Sequence, residues 1–172
     1  LINDEDPAYD RCSTPSQVLI NAKNIGDLLN EKGISWGGFM GGFDLTLTNA
    51  NNTTGCNRST YSETVGIRTD YVPHHAWFQY FASTANPTHA RPNSTASIGF
   101  STIPGTSTRE PANHQYDIKD FYTAVKAGNF PAVSDIELPA YQDGHPGDSD
   151  PRDEQNGVVM IVNLIQRQRE WA

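Results

Sequence analysis

Helical and strand periodicity is concentrated in two stretches of the chain, 24–40 and 117–171, and in both a helix precedes a strand. In the first, Ile25, Leu28 and Leu29 recur at i, i+3 and i+4 and Gly33 supplies a stop, which predicts a helix over 24–33. The following segment, 34–40, reads as a strand that its paired glycines, Gly37 and Gly38, weaken. In the second stretch Asp117 opens a helix over 117–127 with Ile118, Phe121, Tyr122 and Val125 on one face and Gly128 as terminator. A strand over 130–138 follows, with Ala132, Val133, Ile136 and Leu138 expected inside. A last helix over 153–171 starts acidic (Asp153, Glu154) and ends basic (Arg167, Arg169), as the helix dipole favours, with Val158, Ile161, Val162 and Ile165 as its buried stripe. Helices alternating with strands predict an α/β protein with parallel strands. The last helix has the form of a crossover, which delivers a chain to a further strand. Together with Leu1 at the start, this predicts that residues 1–172 are an internal part of a single larger domain, its pattern broken off at both ends.

The remaining residues are mostly loop: 41–70, rich in Asn and Thr, 83–113, punctuated by prolines, and 139–152. Between the first two, a short helix is expected to begin at Pro73-His74-His75 and to carry Trp77, Phe78, Tyr80 and Phe81. These aromatics read first as core. A chain of 172 residues suffices for one core. Its 20 acidic against 12 basic residues, net −8, oppose nucleic acid and anionic membrane surfaces as partners. No run approaches the ~18 apolar residues of a membrane span. Only 19% of residues are charged, while Ser, Thr and Asn number 12, 15 and 14, a balance that suits an exported protein. Cys12 and Cys56 lie in polar loops and are either buried thiols or a disulfide. The disulfide is favoured, because an exposed thiol there would be reactive, and it points to a secreted or periplasmic location. Asn-x-Ser/Thr sequons at Asn51, Asn52, Asn57 and Asn93 matter only in a host that glycosylates exported proteins.

Five histidines are the candidate chemical groups. His74 and His75 follow a rigid Pro73 at a helix start, where backbone N–H groups and imidazole together suit an anion. His145 lies in Asp143-Gly144-His145-Pro146, directly after the 130–138 strand, and ligands of open α/β sheets bind beyond the carboxyl ends of strands. Asp143 stands two residues away and is placed to orient His145 as an acid or base. His114 precedes the 117–127 helix and is either structural or near the site. Asp143, Asp148, Asp150, Asp153 and Glu154 do not fit the calcium-loop spacing, so they read first as a solvated acidic loop and second as a calcium site of another form. No nucleophile elbow, Walker loop, dinucleotide fingerprint or zincin motif occurs.

Several segments resemble the phosphoesterase family, which contains bacterial acid phosphatases and non-haemolytic phospholipases C. They include Asp6-Pro7-Ala8-Tyr9-Asp10-x-Cys12, Trp36-Gly37-x-Phe39-x-Gly41-Gly42-Phe43 and Asp70-Tyr71-x-Pro73-His74-His75. Asn113-His114-Gln115-Tyr116-Asp117 and Pro139-Ala140-Tyr141-Gln142-Asp143-Gly144-His145-Pro146 continue the match in order along the chain. The resemblance implies a partial α/β/α sandwich of alkaline-phosphatase-like type and an exported hydrolase of phosphate esters working through a Ser or Thr phospho-enzyme. It implies that His145, His74 and His75 act on the phosphoryl group, His145 first, with Asp143 and His114 beside the substrate. The family's nucleophile and paired aspartates have no counterpart in residues 1–172, so any divalent metal is expected on carboxylates outside this chain. The chain alone is then expected to be inactive. The acid phosphatase branch fits the motif spelling better than the phospholipase branch, in which Trp77, Phe78 and Tyr80 would form a cation–π cage for a choline head group. A non-catalytic, acidic, secreted binding module is the reading from another class.

Overall fold

The computed structural model describes residues 4–168. Its elements are β1 (Asp6–Pro7), β2 (Gln17–Val18), α1 (Ile25–Glu31), β3 (Trp36–Met40), β4 (Ser59–Ser62), β5 (Gly66–Thr69), β6 (Gln115–Asp117), α2 (Ile118–Ala127), β7 (Val133–Glu137) and α3 (Pro151–Gln166). The fold is α/β, as the helix–strand rhythm implies. β3 is the centre of a parallel sheet in the order β6-β3-β7, with Phe39 opposite Tyr116 and Ile136. The short parallel pair β1-β2 and the antiparallel hairpin β4-β5 lie apart from it.

Every residue of β3 is buried. Its paired glycines are what the packing requires. A Cβ on Gly37 would lie 2.9 Å from the Tyr116 ring, and one on Gly38 would lie 3.0 Å from Phe78. The missing side chains let aromatic rings lie flat on the sheet, so the feature that weakens the strand on paper lets it pack. On one face, Phe39 and Tyr116 meet Phe121, Ala124 and Val125 of α2, with Ile161, Leu164 and Ile165 of α3 packed alongside. On the other face, Trp36 stacks between Phe78 and His114. Gly26 of α1 also packs against Trp36, where a Cβ would fall 2.3 Å from the indole.

α2 forms where expected. Asp117 and Asp120 make a capping box, and Gly128, at φ 73°, closes the helix in the left-handed conformation. α1 is likewise boxed by Asn24 and Asp27, but its apolar residues are not a buried stripe: Ile25 and Leu28 are half exposed. The helix is held at Gly26, which packs against Trp36, and at Asn30, whose Oδ1 accepts from the Trp36 indole N–H at 2.9 Å.

Several expectations are corrected. β7 is an edge strand among the described residues, so Ala132 and Val133 are exposed and Ile136 and Leu138 only half-buried. In α3, Val158 and Val162 are exposed, and only Gly157 is fully buried. That helix starts two residues earlier than expected, at Pro151 behind its cap Asp150, and 169–171 lie outside the described residues. The 41–70 loop contains the β4-β5 hairpin, whose buried side chains Ser59 and Ser62 are polar and leave no apolar alternation to read. The 73–81 segment folds as two 3₁₀ turns, Pro73–His75 and Trp77–Tyr80, instead of one helix.

Cys12 and Cys56 form a disulfide, with Cα atoms 5.3 Å apart. It ties the N-terminal segment to the turn that precedes β4. Beside it, Asp10 is fully buried and accepts from Tyr71, Gln79 and His89. Burial alone would push the Asp10 carboxyl up. Hydrogen bonding and charge from His89, with help from the Cys12 N–H and Tyr71, outweigh burial and hold it below the usual carboxylate range.

Candidate functional site

The carboxyl ends of β3 and β7 open onto the 3₁₀ turn at Pro73–His75 and the loop after Leu138. Pro73 sets the first dihedral of that turn, and the backbone N–H of His75 and Ala76 close it onto Val72 and Pro73. Across from it the chain leaves β7 at Glu137, turns through Ala140–Gln142 and reaches Asp143. Gly144, at φ 82°, then swings His145 back toward the turn. The Asp143 carboxylate accepts the backbone N–H of His145 at 2.8 Å, which anchors the swing.

Three imidazoles converge here from two segments distant in the chain. The rings of His74 and His75 lie 4.6 Å apart, edge to face, and those of His75 and His145 lie 5.6 Å apart. Each ring faces a carboxylate: His74 Nδ1 is 3.5 Å from Asp6, His75 Nδ1 3.2 Å from Asp143, and His145 Nδ1 3.5 Å from Asp148. The His145 side chain is about half exposed (48%), His75 much less so (17%). Burial, then the neighbouring His74, lowers the His75 pKa against the pull of Asp143, so its ring is neutral near neutral pH. Glu137 at the end of β7 is pushed up to about 7 by burial and by the charges of Asp143 and Asp135. The site therefore holds imidazole rings beside two closely spaced carboxylates, Glu137 and Asp143.

His75, Glu137 and Asp143 are close enough to hold one metal ion. Asp10, Cys12 and His89 form a second such group by distance, but the Cys12 sulfur is committed to the disulfide and Asp10 and His89 are hydrogen-bonded to each other.

His114 is not brought to this cluster. It stands at the opposite, amino end of the sheet, 1% exposed, stacked on Trp36 with ring centroids 4.3 Å apart. Its Nδ1 bonds the Trp36 carbonyl at 2.9 Å and its Nε2 meets Ser101 Oγ at 3.0 Å, so both nitrogens serve the core. Of the remaining acids of the 143–154 loop, Asp148 faces His145 and is also engaged outside the cluster, as are Asp150 and Asp153. Asp150 caps α3, Asp153 accepts from Ser62, and Asp148 pairs with Arg68.

Phe78 and Tyr80 are core side chains. Trp77 stays at the surface, stacked on Phe78, with its indole N–H donating to Asp135 at 2.8 Å. The three do not enclose a cage.

One feature near the site carried no sequence signal. Arg58, 3% exposed, bridges Asp70 at 3.1 Å and Asp117 at 3.2 Å and donates to the Asp44 carbonyl. The fork cross-braces the hairpin, the carboxyl end of β6 and the loop after β3. Nothing in the spacing of residues 58, 70 and 117 announces it, since the partners meet only through the tertiary fold.

The family comparison agrees with this architecture. No curated protein matches the chain. A family model, that of the phosphoesterase family, matches residues 6–172, spanning the histidine cluster, the sheet and both long helices. The chain belongs to the phosphoesterase family.

Proposed function

We propose that the protein is an exported hydrolase of phosphoric monoesters, of acid phosphatase type, in which His74, His75 and His145 bind the phosphoryl group. The convergence of three imidazole rings at the carboxyl end of β7 carries this reading. Ring N–H groups are directional donors suited to non-bridging phosphoryl oxygens, which gain negative charge in phosphoryl transfer. His145 is the most exposed of the three and is braced by Asp143, which suits it to protonate the departing alkoxide. The disulfide supports an extracytoplasmic location. No helix among the described residues is long and apolar enough to cross a membrane.

The monoester reading is preferred over a phospholipase C because Phe78 and Tyr80, two of the three aromatics suited to a choline cage, are buried. Metal chemistry in this family would polarise the phosphoryl group and activate the nucleophile.

Orthovanadate, a phosphate-shaped oxyanion, tests the assignment. The protein is expected to bind it in calorimetric titration, with His145→Ala weakening binding roughly 10- to 100-fold, the equivalent of one charge-assisted hydrogen bond of about 1.5–3 kcal/mol. Absence of vanadate binding, or equal binding by His145→Ala, would favour the non-catalytic binding module.

A further inference from the structure

We propose that His75 Nδ1 and the carboxylates of Glu137 and Asp143 form a site for one divalent transition-metal ion of the Zn²⁺ class. The three donor atoms all lie within 4.8 Å of one another. Ligands on a tetrahedral ion with bonds of about 2.1 Å stand roughly 3.4 Å apart. His75 Nδ1 and Asp143 Oδ2 stand 3.2 Å apart.

A second observation is independent of the clustering. The Asp143 side chain is 1% exposed, yet its Oδ2 accepts no hydrogen bond, although a ring nitrogen is 3.2 Å away. A buried carboxylate oxygen left unpaired is costly and calls for a partner. The distance is right for a hydrogen bond and the alignment is not. Two atoms that ligate a common ion behave this way, because each aims at the ion and neither aims at the other.

The donor set selects the ion. One imidazole and two carboxylates suit a borderline transition ion, whereas Ca²⁺ takes six to eight oxygens. The scaffold is built to hold the ligands still: His75 sits on a Pro-initiated turn, Glu137 ends a sheet strand, and Asp143 follows the Ala140–Gln142 turn. Ligation through Nδ1 puts the ring proton on Nε2, which makes His75 a fixed donor. An ion here also offsets two carboxylates that would otherwise repel an anion beside the histidines. The site differs from the carboxylates outside this chain that the family resemblance implies, and its binding of metal does not depend on the phosphatase reading.

The test is titration of the chelator-stripped protein with ZnCl₂ by calorimetry, and with Co²⁺ followed by its visible d–d absorption. One ion per chain is expected, with low-coordinate Co²⁺ bands. Glu137→Gln and Asp143→Asn should each weaken binding at least about tenfold, and Glu63→Gln, at an exposed carboxylate of the hairpin turn, should not. Metal-free thermal unfolding checks that each variant folds. If Asp143→Asn does not, Glu137→Gln and His75→Gln carry the decision. The proposal is overturned if no ion binds, or if the ligand variants bind Zn²⁺ as tightly as the unaltered protein. Vanadate binding with chelator present is read separately. Retained vanadate with no metal binding overturns this proposal alone, and metal binding without vanadate overturns only the phosphoryl assignment.

Discussion

At the scale of single residues, the same side-chain types do opposite work depending on where the fold puts them. His75 and His145 keep partly exposed rings in the cluster at the carboxyl end of β7, whereas His114 and His89 are buried and bonded at both ring nitrogens. His89 and His114 also occupy the left-handed backbone region, at φ 55° and 67°. Such backbone costs of order 1–3 kcal/mol per residue and persists only where surrounding contacts hold it. Arg58 shows the converse dependence on context. Its charge is tolerable because Asp70 and Asp117 flank it, and theirs are tolerable because of Arg58. Removing one partner of a buried ion pair leaves uncompensated charge, so Arg58→Ala should cost about 3–5 kcal/mol in chemical denaturation. Arg58→Lys should recover only part of this, because a single ammonium cannot span both carboxylates and the Asp44 carbonyl. A loss below 1 kcal/mol for Arg58→Ala would contradict the bracing role.

At the scale of elements, caps and stops were legible and burial was not. The boxes at Asn24/Asp27 and Asp117/Asp120 are local chemistry, written in residues three apart. Which face of a helix is covered depends on what lies across from it. α2 is covered because the sheet passes beneath it. α3 keeps Val158, Val159, Met160 and Val162 exposed among the described residues. The hairpin escaped notice because its inner residues are serines held by hydrogen bonds. The disulfide acts at this scale too, closing a separation of 44 residues between the N-terminal segment and the turn that precedes β4. In the chain-entropy account such a crosslink is worth about 4 kcal/mol. Reduction under native conditions should lower stability by up to that amount. Loss of protease resistance should appear first in the segments the bridge joins, and limited proteolysis with and without reductant measures it.

At the scale of the whole molecule, acidity and burial combine in the response to pH. Burial lowers the His114 pKa, partly opposed by its bond to the Trp36 carbonyl and slightly reinforced by Arg109. The unfolded chain therefore takes up a proton near 6.5 that the folded chain resists. This contribution to stability is present above that pH and is lost as pH falls below it, by at most about 1.4 kcal/mol per pH unit. Glu137 has the opposite sign: its raised pKa costs stability as pH rises from 4.5 toward about 7. The two partly cancel in the total, so the prediction concerns a difference. In chelated buffer, the stability advantage of the unaltered protein over His114→Gln should shrink steadily as pH falls below about 6.5. A difference independent of pH would mean that His114 does not resist protonation. Asp10, with its lowered pKa, adds a further loss only when pH falls through the usual carboxylate range.

What is local, or spelled in contiguous residues, is already legible in the amino-acid order. It carried the helix–strand rhythm, the caps, the terminating glycines, the family, and the pairing of Pro73-His74-His75 with Asp143-Gly144-His145 as candidate chemistry. The tertiary structure alone decided how these pieces meet. It set His114 in the core and His145 beside His75, turned the weak glycine pair of β3 into a seat for aromatic rings, and closed Arg58 onto two distant aspartates. It also placed Glu137, a strand residue with no signature of its own, against His75 and Asp143. Contacts between residues tens of positions apart depend on the whole set of backbone angles between them, and no short pattern in the sequence encodes that set.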